Sequence, residues 1–107
     1  MAYYTEDQLK RLGFKNIGNN VKISDKASIY NCDQIEIADN SRIDDFCVIS
    51  GKIKIGKNVL ITPMCLVAGG EKGIIFEDFT TIAYGVKVFT QSDDYSGATM
   101  ANSMEEF

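Results

Sequence analysis

The sequence contains no histidine and no tryptophan, a single proline, Pro63, and only three cysteines. Without histidine or a CxxC pair there is no zinc-ligand pattern, and no metal is expected. The commonest general base of enzymes is missing as well. No apolar run approaches the ~18 residues that a membrane-spanning helix needs. The opening "MAYYTEDQLK" has no apolar core of the kind a secretory signal carries. Cys32, Cys47 and Cys65 are odd in number and follow no export signal, so reduced thiols and a cytoplasmic location are expected. Eleven basic against fifteen acidic residues give a net charge of −4, which argues against a general nucleic-acid or anionic-membrane surface.

What is present is a repeat. Starting at Ile17 and stepping by six gives Ile17, Ile23 and Ile29. The register restarts at Ile37 with Ile43, Ile49, Ile55, Ile61 and Val67, and again at Phe76 with Ile82 and Val88. Nine of these twelve slots are isoleucine, out of thirteen isoleucines in the chain. Four places after the slots stand small or β-branched residues: Val21, Ala27, Ser41, Cys47, Val59, Cys65, Thr80 and Val86. Corner-like triplets such as "GNN", "SDK", "ADN" and "GKN" lie between. Asn20, Asn40 and Asn58 recur at one place in successive repeats, and asparagine tolerates left-handed backbone better than most residues.

A period of six is neither helical nor a simple alternation. Three sixes make one turn of a three-sided coil of short strands, each turn stacking on the last at strand spacing, ~4.8 Å. Ile37, Ile43, Ile49, Ile55 and Ile61 are expected to point inward and the corner triplets to be exposed. One coil cannot bury its own apolar face, so stability must come from stacking. A β-sandwich is the alternative, but it predicts turn signals every 8–12 residues rather than a fixed six-residue register. The restarts leave bulges near residues 31–34 and 69–73.

The ends differ. "YYTEDQLKRLGF" predicts a short helix with Thr5 as N-cap, Gln8 completing a capping box and Gly13 as the stop. Leu9 and Leu12 are expected to cover the open first coil. The resulting organisation is a helical cap over residues 1–16, a β-helix over 17–90, and an irregular loop and tail over 91–107. That loop begins in "FTQSDDYSG", residues 89–97, which is polar and carries Gln91, Asp93, Asp94 and Tyr95.

"IGNNVKISDKASI", "IADNSRIDDFCVIS" and "IGKNVLITPMCLVA" resemble the hexapeptide repeats of the left-handed β-helix acyltransferases. The resemblance covers about residues 1–107 and is nearest in kind to bacterial sugar O-acetyltransferases. It implies an all-β, left-handed parallel β-helix of about four coils with a short N-terminal helix cap. It also implies a homotrimer whose sites lie between subunits, with acetyl-CoA as acyl donor and a sugar as acceptor. End-to-end stacking of the last coil is a further expectation, since its strand edges are open.

In such enzymes a histidine on the loop after a coil takes the acceptor's proton, and an asparagine in an "IAPN"-type corner holds the acceptor. Here Gly85 stands in the matching corner, "IAYGV", and the histidine position falls between Gln91 and Asp93. Gln91, Asp93 and Asp94 are thus the catalytic candidates, and Tyr95 and Gly85 the substrate-binding ones. Burial or pairing can raise the pKa of one of two adjacent carboxylates into a useful range. The coils that bind coenzyme A are expected beyond a linker near Ser103, so the chain reads as truncated and catalytically incomplete, or as a piece of a longer enzyme. A non-catalytic β-helical module for oligomerisation or binding is the alternative. Lys52, Lys54 and Lys57 are candidates for phosphate contacts, or simply the solvent side of strands. Cys47 and Cys65, at equivalent slots, are expected to stack as core residues.

Overall fold

The computed structural model describes residues 2–90. A six-residue helix, α1 (Glu6–Arg11), precedes twelve short strands. These are β1 (Asn16–Ile17), β2 (Lys22–Ile23), β3 (Ser28–Ile29), β4 (Ile35–Ile37), β5 (Arg42–Ile43), β6 (Val48–Ser50), β7 (Ile53–Ile55), β8 (Leu60–Ile61), β9 (Leu66–Ala68), β10 (Ile74–Phe76), β11 (Thr81–Ile82) and β12 (Lys87–Phe89). They pair in parallel into three four-stranded sheets, in the orders β1-β4-β7-β10, β2-β5-β8-β11 and β3-β6-β9-β12. Each sheet takes every third strand, which is the signature of a three-sided coil wound four times. The fold is an all-β parallel solenoid, as the six-residue period requires.

The register follows the isoleucines. Ile17 pairs with Ile37, Ile37 with Ile55, and Ile55 with Phe76. On the second face Ile23, Ile43, Ile61 and Ile82 align, and on the third Ile29, Ile49, Val67 and Val88. Ile23, Ile37, Ile43, Ile49, Ile55 and Ile61 are buried. Burying one such side chain is worth ~1.5–3 kcal/mol, and the ladders place most of that stabilisation between neighbouring coils. Among the described residues the first and last coils have a neighbouring coil on one side only, and there Ile17, Ile29, Ile82 and Val86 are only partly buried.

Asn20, Asn40 and Asn58 all adopt left-handed backbone, with φ of 60°, 64° and 56°. The fourth member of this corner column is Phe79, at φ 65°. The expected bulges are a turn of 3-10 helix at Cys32–Gln34 and a turn around Gly70–Gly73, both of which let a longer coil keep register.

Two expectations require correction. Leu12 is 37% exposed and does not cover the first coil. It follows the last turn of α1, whereas Leu9 faces inward and Tyr4 and Phe14 pack on the core instead. The corner triplets are also not uniformly exposed: Ser24 is fully buried, and Asp44, at the equivalent place one coil on, is 3% exposed. Each follows an inward isoleucine at the strand end, where the chain turns before the side chain has swung outward. The capping box of Thr5 and Gln8 is formed as expected, with Gln8 N donating to Thr5 Oγ1 and Thr5 N to Gln8 Oε1. Among the described residues, no helix is long and apolar enough to cross a membrane.

Candidate functional site

The loop that carries the sequence candidates springs from β12. Its root is fixed by Thr90, whose N–H donates to Ala68 O at 3.2 Å and whose Oγ1 donates to Gly69 O at 2.7 Å. Gln91, Asp93, Asp94 and Tyr95 lie outside the described residues. Gly85 is in the corner between β11 and β12, at φ 69° with Gly85 N donating to Pro63 O at 3.2 Å. A methyl group there would meet no atom within 4 Å, so the corner is open on that side. Left-handed backbone explains the glycine without any ligand, since most other residues would be strained there.

Below Gly85 the same corner holds Met64 and Phe46. Both are left-handed, at φ 67° and 62°, and both are more than half exposed, at 57% and 58%. Tyr84, beside Gly85, is exposed too. Bulky apolar residues are unusual at positive φ, and strain of this kind concentrates where a surface has a role. The corner and loop root therefore carry an exposed apolar column that sequence reasoning did not single out. The six-residue register marks these positions as corners but says nothing of why they are large.

Inside the same corner runs a polar column of Ser24, Asp44 and Thr62. Ser24 Oγ donates to Asp45 Oδ1 and accepts from Lys26 N at 3.0 Å. Asp44 is held by Arg42, with Nη2 donating to Oδ2 at 3.3 Å and Nε 2.9 Å from Oδ1. That Oδ1 is buried, in charge contact with Nε, and makes no hydrogen bond of its own. Thr62 Oγ1 donates to Ile82 O at 2.6 Å. Ser24 and Thr62 tie successive coils together, whereas the Asp44 side chain pairs within its own coil.

Cys47 and Cys65 are buried in adjacent coils, as expected, and their thiols donate to Thr62 O and Ala83 O, each at 3.1 Å. Burial pushes the Cys47 thiol above its ordinary range, and it does the same to Cys32. Neither environment makes a nucleophile. Lys52, Lys54 and Lys57 are all exposed; Lys54 is on the solvent side of β7, whereas Lys52 lies in the bend before that strand and Lys57 in the turn after it. No cluster of three or more potential metal ligands exists among the described residues. What the described corner offers is a partly apolar platform at Phe46, Met64 and Tyr84 beside the carboxylates of Asp44 and Asp45.

No family model matches the chain. It is 46% identical over 105 residues to the dTDP-4-amino-4,6-dideoxy-D-glucose acyltransferase of Escherichia coli, a match that takes in 95% of this chain and 54% of that protein. A 77-residue match at 32% identity covers 72% of the chain and 16% of the bifunctional protein GlmU of Thermoanaerobacter pseudethanolicus. Among solved structures, a serine-substituted variant of AntD, an N-acyltransferase from Bacillus cereus in complex with dTDP and coenzyme A, superposes with a TM-score of 0.84 at 46% identity. That superposition covers 90% of this chain and 51% of AntD. AntD with dTDP and 3-hydroxybutyryl-CoA gives a TM-score of 0.74 at 48% identity, covering 76% of this chain and 44% of AntD. The chain thus spans about half the length of the E. coli enzyme and of AntD. With its six-residue repeat, its four-coil parallel β-helix and this identity, the chain belongs to the hexapeptide-repeat acyltransferase family.

Proposed function

We propose that the chain forms the N-acyltransferase scaffold of an enzyme that moves an acyl group from coenzyme A to the amine of a nucleotide-linked amino sugar. The observation that carries this reading is the 46% match over 95% of the chain, which necessarily includes the corner at 82–86 and the loop at 89–97. An amine acceptor replaces the hydroxyl acceptor of an O-acetyltransferase, and the acyl group need not be acetyl.

That change alters what the missing histidine means. A hydroxyl must lose its proton as it attacks, which calls for a base near neutral pKa. A neutral amine attacks the thioester carbon unaided and forms a tetrahedral adduct with a positively charged nitrogen. As the carbon–sulfur bond breaks, the nitrogen's proton passes to a carboxylate and from there to the departing thiolate. Asp93 or Asp94 is chemically sufficient for that transfer, and the similar AntD has itself been solved with an aspartate exchanged for alanine and for asparagine. The incompleteness expected from the missing histidine assumes a hydroxyl acceptor and does not extend to an amine. Gln91 remains a catalytic-loop candidate that can hydrogen-bond but cannot take a proton, and Tyr95 and Gly85 remain the candidates for holding the sugar.

The test is thiol release from acetyl-CoA and longer acyl-CoAs, with a dTDP-linked amino sugar beside its hydroxyl counterpart. Amine-dependent release that falls ~10²–10⁴-fold in Asp93→Asn or Asp94→Asn supports the reading. Unchanged release in both variants removes the carboxylate. Failure to bind either acyl-CoA or the nucleotide sugar leaves the non-catalytic β-helical module in its place.

A further inference from the structure

At the corner where β12 ends, successive coils are tied by backbone that leaves no room for side chains. Gly51 N donates to Asn31 Oδ1 at 3.0 Å, and Lys52 N donates to Gly70 O at 3.0 Å. A Cβ on Gly51 would sit 2.3 Å from Gly70 N, and one on Gly69 would sit 2.1 Å from Lys52 O. Gly69 N donates to Ser50 O at 2.8 Å, and Ile74 N donates to Lys52 O at 3.0 Å. The bulge at 69–73 is thus keyed into the coil beneath it.

Thr90 carries this grip to the next coil. Its N–H extends the β9–β12 ladder one step beyond the last pair, Phe89 with Ala68, by donating to Ala68 O at 3.2 Å. Its Oγ1 donates to Gly69 O at 2.7 Å. That oxygen also accepts from Gly73 N at 2.9 Å, so both of its lone pairs are used. The hydroxyl rests against the bare face of Gly70, where an added Cβ would stand 3.0 Å from it.

We propose that Thr90 is a positioning residue of the acyl transfer, its hydroxyl fixing the point from which the loop at 91–97 departs. The inference rests on the amine-acceptor reading, in which Asp93 or Asp94 takes the proton from nitrogen. Asp93 is three residues beyond Thr90 and Asp94 four, so at most ~11–14 Å of backbone carries a shift at the root to the carboxylate. A proton acceptor works within ~2.6–3.2 Å of the atom it serves. Misplacement by about 1 Å can cost ~10²-fold. Valine at position 90 keeps the branched shape and the backbone bond to Ala68 but loses the bond to Gly69 O. Serine keeps that bond.

The test is amine-dependent thiol release by the unaltered chain, Thr90→Val and Thr90→Ser. Thr90→Val is also combined with whichever of Asp93→Asn and Asp94→Asn lowers release. Thr90→Val is expected to lower kcat at least ~10-fold, with KM for both substrates unchanged, and Thr90→Ser to restore most of the loss. In the asparagine background Thr90→Val should add nothing, because no carboxylate is left to misplace. Thr90→Ala, which removes the same bond without placing a methyl against Gly69 O, makes the comparison if Thr90→Val melts below the assay temperature. An undiminished kcat, an equal loss in both backgrounds, or a loss that serine does not recover overturns the positioning role and leaves the acyltransferase reading standing. No release by the unaltered chain, or unchanged release in both asparagine variants, overturns the carboxylate reading and this role with it, so the two failures are told apart.

Discussion

Asn20 Nδ2 donates to Asn40 Oδ1 at 2.9 Å, joining two corners in successive coils that are both left-handed. The pair does two things at once. It places residues that tolerate positive φ where the chain must turn, and it fixes one coil against the next.

Asn40→Ala is therefore expected to lower stability by ~1–2 kcal/mol, chiefly from the left-handed backbone. Asn40→Gly should recover most of that loss, because glycine adopts positive φ freely. Urea denaturation of the two variants checks this. Equal losses would put the hydrogen bond, rather than the backbone, in charge.

Ile55 lies in the middle of the first inner ladder, paired with Ile37 and Phe76 and almost wholly buried. Ile55→Ala is expected to cost ~2–5 kcal/mol. Lys57→Ala should be nearly neutral, since Lys57 is exposed and it is its backbone N–H, not its side chain, that donates to Asp78 Oδ1 at 2.8 Å. Small and equal shifts in denaturation midpoint would contradict the register.

At Gly69 the chain passes so close to its neighbour that an added Cβ would sit 2.1 Å from Lys52 O. Gly69→Ala must move backbone in an adjacent coil and should destabilise more than Gly85→Ala, where the space is open and only the positive φ opposes the change. Thermal melts of the two variants would show the order.

The Cys47 thiol is held protonated by burial, so it should react slowly with thiol reagents in the native protein. Because its folded pKa is raised, its contribution to stability is complete below the unfolded thiol pKa and is lost as pH rises through the folded one. Alkaline unfolding should thus begin at lower pH in the parent chain than in Cys47→Ser, provided the serine variant still folds. Titration that finds all three thiols promptly reactive at neutral pH would rule out the buried pair.

Assembly is expected through exposed residues such as Phe46 and Met64, with a homotrimer as the first expectation and end-to-end stacking of the β10–β12 edge, unpaired among the described residues, as the second. Light scattering should report a mass above the 11.9 kDa of one chain. Phe46→Asn should reduce that mass while relieving the backbone. A dilute, stable monomer would set both modes of assembly aside.

The sequence by itself determined the coil. Isoleucine every sixth residue can be buried only if three short strands make one turn, and asparagine in three successive coils marks one of the corners, so strands, sheet order and ladders were all legible in the spacing of one residue type. The capping box of Thr5 and Gln8 was equally local and equally legible. Tertiary structure alone decided the rest, because it depends on which residues meet across coils twenty apart. Ser24 and Asp44 read as exposed corner residues and are buried, since the direction of a side chain at a strand end is set by how the chain turns there. Leu12 read as a lid and faces solvent, since a helix barely longer than one turn presents one apolar residue inward. The anchor of the loop root had no signature, for Thr90 and Gly69 stand 21 residues apart in different coils and meet only once those coils are stacked.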